Sequence, residues 1–212
     1  MGIQSAVNRP FIQPISVTHS DSNPSPTPQP SSLSRIEVLV AMAVTAIVLL
    51  AIARLWLYVT AAQFLPLGWQ LPLVGTGIAL GLMITGVSGL VYRWWPRYQA
   101  SADIYLAMVL PSLVWPDLIW LGLLPGLSEE LLFRGVMLPS FGLNWLGVLL
   151  SSSIFGAMHF SGTQQWPYIL WASVIGVVLG ISVLLSHSLV VPIAAHITTN
   201  LLSSVLWKWQ QA

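Results

Sequence analysis

Apolar residues dominate this chain in long blocks, parted by short polar or proline-bearing breaks. Ile36 to Thr60, Leu71 to Tyr92, Trp166 to Leu185 and Leu189 to Trp207 each run for about 20 residues, the length a helix needs to cross a ~30 Å hydrocarbon layer. Ile104 to Leu124 reads as a further span, bent or broken near Pro111 and Pro116. Trp145 to Phe160 is shorter and bears serines. The pattern predicts an all-α fold: a polytopic transmembrane helical bundle with a disordered N-terminal tail.

That tail covers residues 1–33, where six prolines, Pro10 to Pro30, alternate with serine, threonine and glutamine. Such sequence has no apolar surface to bury, so no fold offsets its ordering entropy. It lacks the apolar stretch of a cleavable signal peptide, and Ile36 to Thr60 reads as an uncleaved anchor. The N-terminal membrane helices then occupy 34–114 and a second membrane region 115–208. Arg54 reads as a snorkelling side chain, and His19 and His187 as solvated ones. Gly77/Gly81 and Gly176/Gly180 form GxxxG pairs that allow close helix approach. Arg9 and Arg35 precede the first span, and Arg93 and Arg97 follow the second beside Trp94 and Trp95. The excess of basic residues on the inner side then predicts a cytoplasmic N-terminus and an external loop over 61–70.

Composition narrows the chemistry. Of 212 residues 56% are hydrophobic and 6% charged, with a net charge of +1, so membrane lipid is an expected partner and nucleic acid is not. Cysteine is absent, which removes disulfides, thiolate nucleophiles and cysteine-held metals. No convincing internal repeat supports an inverted-repeat transporter.

Against that apolar background one cluster stands out: Ser128-Glu129-Glu130-Leu131-Leu132-Phe133-Arg134-Gly135. On a helix Glu130 and Arg134 share a face with the acid N-terminal to the base, the favourable order. Glu129 is rotated by about 100° and points elsewhere. The expected helix begins after Pro125-Gly126, with Ser128 as its N-cap, both acids in the first turn, and an end at Gly135 and Pro139–Gly142. Asp117 reads as a local cap or interfacial group.

Polar groups inside a membrane are costly and usually face a partner or a wet cavity. His159 closes the sequence Phe155-Gly156-Ala157-Met158-His159, while His196 and Asn200 lie four apart on one face of the last span. A carboxylate, two histidines and an amide on separate helices are the parts of a water-activating site: a base, proton carriers and an oxyanion donor. Neither HExxH nor GxSxG is present. Zinc held by Glu129, His159 and His196 is chemically possible, since nitrogen and oxygen ligands suit it.

Glu129-Glu130-x-x-x-Arg134, Phe155-x-x-x-His159 and His196-x-x-x-Asn200 together resemble the motifs of the CAAX-protease and bacteriocin-processing family. Its members include Rce1-type prenyl-protein proteases and Abi-like proteins. The resemblance covers roughly Trp115 to Trp207 and makes 115–208 the catalytic membrane core. It implies an intramembrane endopeptidase, of glutamate or metalloprotease type, acting on a peptide or membrane-protein substrate near the membrane surface. Glu129 would activate water, assisted by His159; His196 and Asn200 would stabilise the oxyanion; Glu130 and Arg134 would hold the site together. The cofactor is either zinc or none, with the metal-free scheme favoured because the ligands come singly from three helices and Asn200 is a poor zinc ligand. The alternatives are a non-catalytic scaffold or immunity-type protein and a proton-coupled transporter. A scaffold has no need of His159, His196 and Asn200 together, and a transporter needs a through-path and more spans.

Overall fold

The computed structural model describes residues 33–60, 62–160 and 162–211. The expected disorder over 1–33, with Arg9 and His19, lies outside the described residues except for Leu33. Among the described residues every regular element is helical: α1 Arg35–Thr60, α2 Leu71–Trp94, α3 Pro96–Val109, α4 Leu118–Leu132, α5 Leu138–Phe141, α6 Trp145–Ala157, α7 Trp166–Ser186 and α8 Val190–Gln210. Arg35–Thr60, Leu71–Trp94, Thr163–Ser186 and Val190–Gln210 are long and apolar enough to cross a membrane, by length and composition. The chain is an integral membrane protein with an all-α fold.

The expected span from Ile104 to Leu124 does not form as one helix. α3 ends at Val109, and 3₁₀ turns at Leu110–Ser112 and Trp115–Asp117 follow, with Leu113 and Val114 extended between them. Pro111 and Pro116 each sit in the first turn of a 3₁₀ element, where a missing N–H leaves no bond unmade. The two prolines therefore break the segment outright.

Nor does a helix begin at Ser128. α4 starts at Leu118 and passes through Pro125, so Glu129 and Glu130 fall near its C-terminal end. Ser128 Oγ donates back to the Leu124 carbonyl at 2.7 Å instead of capping. Proline is tolerated there because neighbouring helices hold the segment and can make up for one lost backbone bond. Gly135 does not stop the helix either. Phe133–Met137 forms a π turn, α5 continues to Phe141, and Gly142 at φ 107° ends the run. A π turn inserts a residue and re-aims the helix face, and this one carries Arg134.

Between apolar helices in lipid, close van der Waals approach and interhelical hydrogen bonds do most of the joining. α2 runs parallel to α8, its Gly77 and Gly81 pressed so near that a Cβ would lie 2.6 Å from the Val191 and Ala195 carbonyl oxygens. Thr199 Oγ1 donates to the Gly81 carbonyl across this seam. α6 and α7 pack antiparallel through Gly176 and Gly180, which meet Ser152 and Val148. α4 and α8 meet where Gly126 faces Ile197. α1 lies parallel to the run from α4 to α5, joined at one end by Arg35 and Asp117, just before α4, and at the other by Trp56 Nε1 donating to Ser140 Oγ of α5 at 3.1 Å.

Two faces result. One gathers Arg35, Asp117 and the end of α8, whose Lys208 Nζ donates to the Leu113 carbonyl at 2.6 Å. On the other, the loop before α2 lies on the α7–α8 turn: Ser188 Oγ donates to the Leu67 carbonyl at 2.6 Å, and Leu65 N–H to that of Gly135 at 3.0 Å. Exposed His187 sits in this turn at φ 51°, the left-handed residue that ends α7.

Candidate active site

The π turn puts the Arg134 guanidinium at the centre of the bundle, fully buried beside a fully buried Glu130. Nη1 donates to Glu130 Oε1 at 2.9 Å and Nη2 to the Gly176 carbonyl at 2.9 Å. The guanidinium carbon also lies 4.6 Å from the centre of the Phe155 ring. Uncompensated charge at this depth would be prohibitive, and the carboxylate, carbonyl and π face together supply the compensation. Glycine at 176 lets this approach happen without crowding, since a Cβ there would lie a tight 3.1 Å from Nη2.

Glu130 has a second partner that the motifs did not announce. Its Oε1 also lies 2.7 Å from Nδ1 of His196 on α8. A carboxylate paired with arginine only accepts, so Nδ1 carries the proton and donates. The other nitrogen, Nε2, is thereby turned toward Glu129, 3.9 Å from its Oε2. The Glu129 side chain is 16% exposed where that of Glu130 is 0%. One acid is thus locked into a structural network and the other faces space.

His159 lies just beyond the last residue of α6. Its Nδ1 sits 2.9 Å from the Phe155 carbonyl, an acceptor, so here too Nδ1 bears a proton and, in the neutral ring, the lone pair falls on Nε2. The ring is flanked by Phe155, Tyr168 and Tyr105 at centroid distances of 4.9, 5.9 and 6.2 Å.

Glu129, His159, His196 and Asn200 all line one cavity of about 450 Å³, within the range of small-molecule and peptide sites. Its walls are mostly apolar. The N-terminal helices, to which the sequence gives only anchoring and shielding, form much of it through Thr45, Ser88 and Tyr105. Tyr105, Tyr168 and Thr199 are cavity residues absent from the motif reading; singly, a tyrosine or threonine in a membrane helix carries no signal.

The cavity reaches the Arg35 face, where Leu33, Leu110 and Trp207 line it. There Asp117 acts as the expected local cap, accepting the Val114 N–H at 2.9 Å. It also takes a bidentate bond from Arg35, with Nε and Nη2 at 2.7 and 2.8 Å. The Arg35 guanidinium first, and then the Val114 N–H, hold the Asp117 carboxyl down to about 2.

The donors do not fit a zinc ion as they stand. Among the described residues no three histidine, aspartate or glutamate side chains converge closely enough to hold a metal.

No solved structure matches this chain. It is 28% identical over 120 residues to a Bacillus subtilis (strain 168) protein described as "Uncharacterized protein YpbD". The match covers 57% of this chain and 61% of that relative, so this chain spans about three fifths of the relative's length. Residues 110–202 match the family model described as Type II CAAX prenyl endopeptidase Rce1-like. Every motif residue from Glu129 to Asn200 falls inside that segment. Residues 110–202 are thus similar to the Rce1-like family, the one that the three motifs resemble.

Proposed function

We propose that the chain is an intramembrane endopeptidase of CAAX-processing type, cleaving a peptide bond of an apolar peptide or membrane-protein substrate in this cavity. One observation carries the reading: a carboxylate outside the Glu130–Arg134 ion pair lines one mostly apolar cavity with two histidines and an amide. A scaffold has no use for that set, and the match to an endopeptidase family model supports hydrolysis over transport.

In the proposed reaction Glu129 is the general base. It takes a proton from a water molecule as the oxygen attacks the scissile carbonyl, forming a tetrahedral oxyanion. The Nε2 lone pair of His159 accepts the water's second hydrogen and so aims the nucleophile. Asn200 donates its amide N–H to the oxyanion; His196 donates through Nε2 in its doubly protonated form. Glu129 then returns its proton to the amide nitrogen, the C–N bond breaks, and an acid and an amine leave. Glu130 and Arg134 touch no substrate atom and hold His196 in orientation. This scheme routes no step through a metal.

The test is cleavage of a quenched-fluorescent S-farnesyl CAAX peptide, beside its unprenylated counterpart, by purified full-length protein in lipid vesicles. Cleavage lost in Glu129→Gln supports the reading. Cleavage unchanged in Glu129→Gln, or absent from the native protein, overturns it.

A further inference from the structure

His159 needs more than a hydrogen bond to be useful. One bond from Nδ1 to the Phe155 carbonyl leaves the ring free to swing about it, and the side chain sits past the helix end, where backbone gives least support. What surrounds the imidazole is a set of rings from three elements. Phe155 comes from α6, Tyr168 from α7 and Tyr105 from α3. Tyr105 and Tyr168 stack on one another, with centroids 4.6 Å apart and planes 24° from parallel.

The two tyrosines are not isolated. Tyr98 stacks on Tyr168 at 6.4 Å and contacts Trp95 at 6.0 Å, and Trp95 meets Trp166 at 5.8 Å. A column of aromatic rings therefore runs from the α2–α3 junction, through the start of α7, to His159. Aromatic pairs at these distances prefer definite mutual orientations, which aliphatic contacts do not impose. Large rigid rings also have few rotamers to lose, so they fix a neighbour at low entropic cost.

We propose that Tyr105 and Tyr168, stacked on one another, are positioning residues that brace the His159 imidazole from one side and, together with Phe155, clamp it in its Nδ1–H tautomer, with Nε2 turned into the cavity. This builds on the proposed proteolytic role of His159, but the clamp is a property of the fold and is measurable without turnover. It makes α3, which precedes the family match at 110–202, a working part of the site. The clamp acts through ring area and not through the hydroxyls, so phenylalanine is the conservative replacement and leucine the disruptive one.

The test uses the full chain, purified with ¹⁵N-labelled histidine, and reads ring-nitrogen shifts by NMR. His159 signals are assigned by their loss in His159→Gln. The native chain and Tyr105→Phe are expected to show a single Nδ1–H tautomer for His159. Tyr105→Leu, and on the ring stacked beside it Tyr168→Leu, are expected to show averaging between tautomers. Two leucine variants guard against one failing to fold. Native shifts retained in whichever leucine variants fold would overturn the clamp, as would averaging already present in the native chain.

A second arm follows cleavage of the S-farnesyl CAAX peptide against pH. Loss of aim at the nucleophile is expected to lower kcat about tenfold or more in Tyr105→Leu, with KM little changed, and Tyr105→Phe to restore it. A leucine variant with native kcat and pH profile would overturn the role in catalysis. Glu129→Gln run beside it reads the proteolytic assignment alone, so the two failures are distinguishable.

Discussion

His196 Nδ1 donates to Glu130 Oε1 at 2.7 Å, joining two helices across 66 residues of sequence. The bond decides which histidine nitrogen faces the cavity. It also gives the adjacent glutamates opposite duties: Glu130 Oε1 is shared by Arg134 and His196, while the Glu129 carboxylate lines the cavity.

The first prediction separates those duties. Glu129→Gln is expected to lower cleavage by about 10²- to 10⁴-fold, the usual worth of a general base, with thermal stability unchanged. Glu130→Gln is expected to lower both, because it strands the Arg134 charge at a cost of about 3–5 kcal/mol. Cleavage and unfolding curves measured on both variants check this. Equal destabilisation by the two substitutions would contradict the division.

A double substitution isolates what Glu130 does for His196. Replacing a buried ion pair by well-packed apolar residues is often neutral for stability. Glu130→Leu with Arg134→Met is therefore expected to recover most of the stability lost by Glu130→Gln. Cleavage is expected to stay low, because His196 loses the acceptor that orients its ring. Recovery of both together would show Glu130 to be a packing residue only.

How much of this is legible in the sequence follows from the kind of signal each feature leaves. Long apolar blocks give α1, α2, α7 and α8 to within a few residues, because burial in lipid acts on every position alike. The break at Leu110–Asp117 is less legible: Pro111 and Pro116 warn of a bend, yet apolar sequence on both sides reads as continuous. Pro125 misleads in the opposite direction, since a proline that normally ends a helix is carried here by its neighbours. At the site, the four-residue spacings Glu130/Arg134 and His196/Asn200 are visible because they are local. The Glu130–His196 bond, the Arg134–Gly176 bond and the rings around His159 join distant segments, and no local pattern announces them.

The Arg35–Asp117 pair predicts a pH dependence. The Asp117 carboxyl is held at about 2 in the folded chain, against about 3.9 for a free aspartate. A depressed value means the folded state is stabilised above the unfolded value, and that this is lost as pH falls through the folded one. The gap in melting temperature between native chain and Asp117→Asn is thus expected to be full above about pH 4 and to narrow toward pH 2. A gap that widens on acidification would contradict the pairing.

Metal dependence is open to direct measurement. With Glu129 as base and no three ligands converging, cleavage is expected to survive prolonged treatment with a strong chelator. Metal analysis of the active protein is expected to give well under one equivalent of zinc. Activity lost to chelation and restored by one equivalent of zinc, with the metal absent from His159→Ala, would reverse the scheme and keep the site.

Orientation in the membrane is the last prediction, and the fold sharpens it. Arg35, Asp117 and Lys208 lie on one face, and the loop before α2 packs with the α7–α8 turn on the other. The chain ends of α1 and α8 therefore share a side. Exposed Arg93 and Arg97 flank Trp95, which meets Trp166 at the start of α7. Basic residues accumulate on the cytoplasmic side of membrane proteins, so the Arg35 face and the mouth of the cavity are expected to be cytoplasmic. A substrate would then enter from the cytoplasmic side. Because the chain has no cysteine, single substitutions report without background. Gln70→Cys is expected to react with an impermeant maleimide on intact cells, and Gln211→Cys only after permeabilisation. The reverse labelling would invert the protein in the membrane and turn the cavity mouth outward.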